Sequence, residues 1–485
     1  MSPKRLSTNS IAIGLFWSYI SAGSYTLLQV LSIAVLSRLL SPHEFGVAGL
    51  GLIFVSFAER FGHAGLGQTL VQKEELSEDD IHSGFSLSLL AGAIFTALLI
   101  VAAPHLAVYF REPSMTALVQ VLSLVFLIDS LIVVPESLLQ RNLDFKKLAV
   151  IDNVAYLIGI GCIGVPLAYY GYGAWSLVFS QIALRLIRAA MFFALISHSC
   201  TFGWYTQSVK RILMTGGGFA LGRIFGFIAL YADNIIVGRQ LGTSAVGNYS
   251  RAYQLMTLPS TLIAQMADRV LFPALSKSQN DKERLYAALL TFIEILATIS
   301  MPLSIAALIA SDEAVRVFLG PGWDEVGRVL TVLSYGIFFR TAYKAGDTVA
   351  RAAGRAYLHA WVHGLYAIAV IVGAYAGSFY GLLGVAWGVL AAVGINYLAM
   401  SYLALSAVEG TWKPFLKAHY PGLLLSSVFG ALSLLVLTSI PISLSPLSTL
   451  MVVGALFVVS SVLSWFLLPS SSRGRFLGLY KRIRG

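Results

Sequence analysis

The sequence predicts an all-α polytopic membrane protein of about fourteen transmembrane helices, built as two six-helix lobes in parallel repeat with two further helices after them. Three observations predict it. First, hydrophobic residues make up 57% of the chain, charged residues only 12%, and mean hydropathy is +0.78. A soluble domain carries roughly 25% charged residues, so this chain has too few to cover itself against water. Second, its apolar runs repeatedly reach the roughly 18–20 residues that cross a bilayer as helix, without the period-2 alternation of a membrane β-barrel. Third, a motif occurs twice. Arg38, Leu40 and Gly46 are matched at one constant offset by Arg239, Leu241 and Gly247, and each copy closes one apolar stretch and opens the next.

Apolar runs read against turn and charge punctuation place the spans near 11–37, 45–70, 83–109, 115–139, 148–169, 173–197, 211–236, 246–271, 285–310, 325–349, 357–378, 382–406, 420–440 and 447–468. The run after Lys4 and Arg5 is too long for a signal-peptide core and reads as an uncleaved first span. Spans two and ten carry several charges. The longest outside connection, Ser311 to Asp324, contains Gly320-Pro-Gly-Trp323 and leaves no room for an external catalytic domain.

Charge sets the orientation. The even-numbered connections hold Arg141, Lys146, Lys147, Lys210, Arg211, Lys277, Lys282, Arg284, Arg351, Arg355, Lys413 and Lys417, and the C-terminal tail adds Arg473, Arg475, Lys481, Arg482 and Arg484. The odd connections hold little beyond Arg38, Arg111, Arg239 and Arg316. Basic loops stay on the cytoplasmic side, so both termini are expected there. One inside loop, Lys73 to Asp80, is acidic, and acidic residues count little in this rule. The net charge of +10 is therefore a matter of topology and does not point to nucleic acid.

The doubled motif ends spans one and seven, so both copies share an orientation. A second echo pairs Gly173-Ala-Trp175 in span six with Val385-Ala-Trp387 in span twelve. The expected organisation is an N-terminal lobe over residues 1–205, a C-terminal lobe over 206–410, and spans thirteen and fourteen with a basic tail over 411–485.

Ionisable residues at membrane depth are costly and face protein or a watery cavity. The candidates are Glu59 and Arg60 in span two, Asp129 in span four, Arg185 in span six, Arg223 in span seven, Glu294 in span nine and Arg340 in span ten. Arg340, Lys344, Asp347 and Arg351 recur at i, i+4, i+7 and i+11, which draws a charged stripe along one helix face. Such a stripe cannot face lipid; it lines a cavity opening inward or serves as gate salt bridges. Arg223, Arg340, Lys344, Arg60 and Arg185 are the candidate substrate contacts, because Arg and Lys suit an anion such as phosphate. Glu59, Asp129, Glu294, Asp347 and Asp233 are the candidate gating or coupling groups, with Glu59 or Arg60 also a candidate partner for Asp129. Arg185 and Arg188 read also as snorkelling or pairing between helices, and Asp233, Arg239 and Arg251 read as staples between helices near the outer surface. Asp268 and Arg269 read as structural. Tyr19, Tyr25, Tyr156, Tyr231 and Tyr343 sit inside spans, where rings pack on sugars or anchor helices.

No enzyme or cofactor motif is found. Cys162 and Cys200 lie in neither a CxxC nor a His cluster. Gly216-Gly-Gly218 lacks the Lys-Ser/Thr of a phosphate loop. His63, His359 and His363 read as too scattered for a metal site.

The segment Ala232 to Gly242, continuing through Val246-Gly-Asn-Tyr249, Tyr253 and Leu258-Pro259, resembles the central signature of the polysaccharide transport family, within the multidrug/oligosaccharidyl-lipid/polysaccharide (MOP) exporter superfamily. Ser37 to Gly46, Gly65-Leu-Gly67 with Val71-Gln72, and Gly320-Pro-Gly-Trp323 are similar to it as well. The resemblance covers nearly the whole chain and lies nearest the colanic-acid and succinoglycan exporter branch. It implies a MATE/MOP-like fold and a flippase, moving undecaprenyl-pyrophosphate-linked oligosaccharide repeat units across the inner membrane by alternating access around a cationic cavity. It also implies membrane lipid as the surrounding medium and a polysaccharide polymerase and chain-length regulator as partners, with no cofactor. Arg223 and Arg340 are chosen by membrane depth and match no family motif. Three other classes compete: a cation-coupled multidrug exporter, which wants an acidic or apolar cavity; a peptidoglycan-precursor flippase, which differs in substrate alone; and a polymerase or ligase, which needs a large external loop.

Overall fold

The computed structural model describes residues 8–72, 76–195, 201–210, 220–266, 275–276, 278–439 and 445–467. Among these residues the secondary structure is helical, with no strand. Nine helical segments in the described residues are long and apolar enough to cross a membrane, and Gly23–Leu39 and Pro42–Phe57 are shorter apolar stretches. The expected spans seven, eight and ten form helices that are not among the nine. By contact, the chain forms two compact units, residues 1–227 with 238–247, and residues 228–237 with 248–485.

The first unit contains α1 (Thr8–Leu39), α2 (Pro42–Gln72), α3 (Glu78–Phe110), α4 (Met115–Leu122), α5 (Leu124–Arg141), α6 (Phe145–Tyr156), a π-helical turn (Leu157–Gly164), α7 (Val165–Tyr169) and α8 (Ala174–Leu195). The acidic residues at the start of α3 have a local reason. Ser77 and Asp80 form a capping box, and Glu78, Asp79 and Asp80 place negative charge at the positive end of α3. The expected fourth span is interrupted at Ser123. The Ser123 carbonyl accepts the Phe126 N–H at 3.1 Å and also Thr96 Oγ1 of α3 at 3.0 Å, and Ser88 Oγ of α3 donates to the Ser130 carbonyl at 2.9 Å, so two hydroxyls fasten α3 to the interrupted span. The fifth span widens into its π-helical turn where Gly159 and Gly164 meet Leu184 and Ser180 of α8.

The second unit is built from α10 (Thr243–Met266) from Asn248 onward, α11 (Lys282–Ile309), α12 (Ser311–Phe318), α13 (Asp324–Ser334), α14 (Ile337–Ala352), α15 (Ala356–Ser378), α16 (Gly381–Ala407), α17 (Trp412–Lys417), α18 (Tyr420–Ser439) and α19 (Pro446–Leu467). The middle of α9 (Ala220–Leu241) belongs to this unit and its ends to the first. Leu285, Leu289, Ile293 and Leu296 of α11 recur at helical spacing and pack on Ala342, Ala345 and Val349 of α14 and on Met400 and Ala404 of α16. That core leaves the polar side of α14 for the charged stripe. The connection after α11 is itself structured as α12, whose Asp312 lies against Gly327 of α13.

The doubled motif is a helix corner. In the first copy Ser41 and Glu44 bond reciprocally, backbone N–H to side chain, and restart the chain as α2 with Pro42 in its first turn. In the second, Gly242 at φ +89° turns the chain from α9 into α10. Within the first unit the two copies touch reciprocally. A Cβ on Gly46 would strike the Thr243 carbonyl, and a Cβ on Gly247 would strike the Pro42 carbonyl. Pro42 and Thr243 are separated by the motif's own offset, so the corners meet with local two-fold symmetry.

Another glycine seam joins α15 to α16, where Gly373 faces Gly388 and Gly377 faces Gly384, each carbonyl occupying the place of the other's missing Cβ. Gly377→Leu should destabilise the purified protein by about 1–3 kcal/mol or more through overpacking. Gly394→Ala, with nothing near its missing Cβ, should leave the thermal midpoint unchanged or raise it slightly. Equal midpoints for Gly377→Leu and wild type in a detergent melting experiment would remove the seam from the packing account.

Candidate functional site

Three polar networks lie among the described helices. In the first unit α5, α6 and α8 contribute a five-charge cluster. Arg185 Nε stands 3.2 Å from Asp129 Oδ2. Arg188 Nη2 reaches Glu136 Oε2 at 3.4 Å and Asp152 Oδ1 at 3.0 Å, with its guanidinium 5.7 Å from the Phe192 ring centroid. Arg185 of α8 thus stands beside Asp129, and of its two sequence readings, substrate contact or pairing between helices, the structure shows the pairing. Sequence reasoning missed Glu136 and Asp152. The signal was present: Asp129 and Glu136 are seven apart, and Arg185 and Arg188 three apart, which puts each pair on one helix face.

In the second unit Asp233 of α9 is fully buried and accepts a hydrogen bond from the Tyr249 hydroxyl of α10 at 2.8 Å, while Asn234 bonds its other oxygen. Arg340 of α14 donates to the Tyr366 hydroxyl at 2.8 Å. Its guanidinium carbon lies 5.8–5.9 Å from the ring centroids of Tyr253, Tyr343 and Tyr366. The spacing of Tyr249, Tyr253 and Arg340 follows from α10 and α14 presenting one face each to this point. Glu294 is buried on α11 at 2% exposure.

One and two turns further along α14 the stripe converges on Asp347. Arg351 Nη2 lies 2.9 Å and Lys344 Nζ 3.6 Å from Oδ2. Oδ1 contacts His359 Nε2 and lies 3.7 Å from His363 Nε2. The histidines that looked scattered in sequence are therefore gathered with a carboxylate. One donor atom each from Asp347, His359 and His363 lies within 4.8 Å of the others. The missed signal is the i, i+4 spacing of His359 and His363 on one helix.

A clasp at the end of α3 involves both copies of the doubled motif. Glu112 accepts from His43 at 2.8 Å, from Ser114 at 2.7 Å and from Thr243 at 3.3 Å. Arg239 donates to the Tyr109 carbonyl at 2.5 Å and covers its ring at 4.9 Å. Burial pushes the Glu112 carboxyl up, but its bonds to Ser114 and His43 outweigh that and hold it below the usual carboxylate range.

Several sequence candidates lie outside the described residues. These are the N- and C-terminal basic residues, Lys73, Cys200, Arg211, Gly216 to Gly218, Asp268, Arg269 and Lys277, and the side chains of Tyr19, Glu59, Arg60, His63 and Arg223 on described helices.

The profile of a family described as polysaccharide biosynthesis protein matches residues 35–328. The teichuronic acid biosynthesis protein TuaB of Bacillus subtilis is 25% identical over 88% of this chain and 89% of that protein. The succinoglycan biosynthesis transport protein ExoT of Rhizobium meliloti is 28% identical over 66% of this chain and 64% of that protein. Among solved structures, an inward closed lipid II flippase, MurJ, superposes with a TM-score of 0.74 at 18% identity, covering 93% of this chain and 99% of that one.

Two expectations follow from the networks. Arg185→Met alone should cost about 3–5 kcal/mol of stability by removing the cation beside the buried Asp129, and adding Asp129→Leu should recover most of it; a thermal-melt double-mutant cycle with no recovery would remove the pairing. Glu112 binds its proton more weakly folded than unfolded, so its contribution to stability is full above the ordinary carboxylate range. It is lost as pH falls through that range and below. Glu112→Gln should flatten that part of the pH–stability curve, read by melting the purified protein from pH 7 downward.

Proposed function

The chain belongs to the family of polysaccharide biosynthesis proteins, whose profile spans more than half of it, and from that premise we propose that it is a flippase for lipid-linked oligosaccharides. It carries undecaprenyl-pyrophosphate-linked repeat units from the inner to the outer leaflet of the cytoplasmic membrane, for assembly of a surface polysaccharide. The family match carries the reading, and a transport protein for succinoglycan among the relatives supports it. The fold is that of a lipid II flippase, an architecture compatible with alternating access.

In this reading residues 1–205 and 206–410 act as the two moving lobes, 411–485 is appended to them, and both termini are cytoplasmic. The protein makes and breaks no covalent bond; a polymerase and a chain-length regulator act on what it delivers. Its task is to lower the barrier for a charged headgroup. A pyrophosphate carries about two negative charges, and each gains roughly 2.3 kcal/mol per 100 mV on moving outward from an inside-negative compartment. Arg223, Arg340, Lys344 and Arg60 meet that headgroup, and Asp347, Asp233, Glu59, Asp129 and Glu294 adjust the charge around it. Arg340 is suited to this because its described partners at contact distance are tyrosines, which leave its positive charge unneutralised. A second reading, export of a peptidoglycan precursor, draws on the fold likeness alone.

Mass spectrometry of polyprenyl-linked intermediates in a strain lacking the gene separates these readings. Complete lipid-linked repeat units should accumulate on the cytoplasmic face while surface polysaccharide disappears; accumulation of peptidoglycan precursor would favour the second reading. Unchanged intermediates with normal polysaccharide would exclude both. In the same assay Arg340→Ala and Arg223→Ala should abolish export at normal membrane levels, and normal export by both would displace the cationic site.

A further inference from the structure

We propose that Asp347, His359 and His363 bind a borderline transition-metal ion of the Zn²⁺ class where α14 turns into α15. The chain assembles the donors locally. His359 and His363, four residues apart, leave the same face of α15 in its first two turns. The turn between the helices, with Gly354 at φ +75°, brings Asp347 of α14 opposite them. The two imidazole centroids are 4.6 Å apart and edge-on, and all three donor atoms lie within 4.8 Å of one another. An ion with bonds of roughly 2.0–2.2 Å holds neighbouring ligand atoms about 3.3 Å apart, so modest side-chain adjustment closes the set around one centre.

The chemistry of the donors selects the ion. Two imidazoles and one carboxylate suit Zn²⁺, Co²⁺ or Ni²⁺, whereas Mg²⁺ and Ca²⁺ require mostly oxygen. The carboxylate divides its work. Oδ1 faces the imidazoles, and Oδ2 is held by Arg351 at 2.9 Å, the kind of outer contact that orients a ligating carboxylate, while Lys344 stands at 3.6 Å, beyond hydrogen-bond distance. The histidine side chains are 18% and 22% exposed, so an ion can enter, and three protein donors leave a fourth position open. Lys344 and Arg351 also repel a dication. They make the site exchangeable, and they distinguish it from a permanently filled structural centre. An occupied site ties the last turns of α14 to the start of α15.

The competing account is a carboxylate that simply gathers four hydrogen-bond donors. Full-length protein, purified in detergent with a tag free of histidine and stripped with chelator, separates the two. Calorimetry with Zn²⁺ should give one equivalent bound, and Co²⁺ should develop visible ligand-field bands. His359→Gln and His363→Gln should each weaken binding by at least ~10-fold at unchanged size-exclusion profile. Lys344→Gln should tighten it, a gain that misfolding cannot imitate. No saturable site in the wild type, binding retained in the doubly substituted His359→Gln/His363→Gln protein, or no gain in Lys344→Gln would each overturn the assignment. The measurement uses the metal alone and stands or falls apart from the transport reading.

Discussion

A bilayer interior supplies no water, so a charge or carbonyl at depth must find its partner in the same chain, and this requirement fixes how the helices of each unit are set. Unpaired, each buried ion costs several kcal/mol. Breaking a formed buried pair costs about as much, because it strands the survivor. The Asp129–Arg185 and Glu136–Arg188–Asp152 contacts tie α5, α6 and α8 together at specific heights, where apolar packing alone would tolerate sliding. At the interruption at Ser123 the carbonyl accepts from both the Phe126 N–H and Thr96 Oγ1, which ties α3 to the interrupted span at a fixed height.

The two units solve the problem differently. Arg185 has a carboxylate against it and forms a neutral pair. Arg340 is instead surrounded by three tyrosine rings and donates to one of their hydroxyls. A cation over an aromatic face gains about 0.5–2 kcal/mol without being neutralised. Asp233 has its oxygens taken by Tyr249 and Asn234. A charge that must be kept at depth and yet remain positive is better solvated by rings than by a carboxylate. An anion carrier needs that combination, and a purely structural ion pair does not.

What the sequence revealed depended on the kind of constraint. Helices and their order were legible because span length and the scarcity of charge are read along the chain. The charged stripe of α14 was legible because Arg340, Lys344, Asp347 and Arg351 lie on one helix face. The partners were not, since pairing is a tertiary choice: Asp129 could have met Arg60 as well as Arg185 from sequence alone. His359 and His363 show a narrower failure. Their spacing was visible, but only the turn at Gly354 places Asp347 opposite them. The interruptions at Ser123 and at Leu157–Gly164 were invisible because an interrupted buried helix is fastened by a neighbour whose position the sequence does not state.

The doubled motif brings these constraints together. Its Arg, Leu and Gly recur because each copy performs one task, turning the chain sharply from one helix into the next while another backbone approaches. Gly46 and Gly247 are bare where the opposite corner's carbonyl arrives, so neither can acquire a side chain without displacing the other copy. The reciprocity means that one geometric requirement acts twice on the sequence, which explains why the two stretches resemble each other. The polar residues around it need not repeat. Glu112 accepts from His43 of one copy and Thr243 of the other, and a single carboxylate placed between two related corners can have no counterpart of its own in the pair. Symmetry is retained where backbones touch and is lost where one side chain serves both.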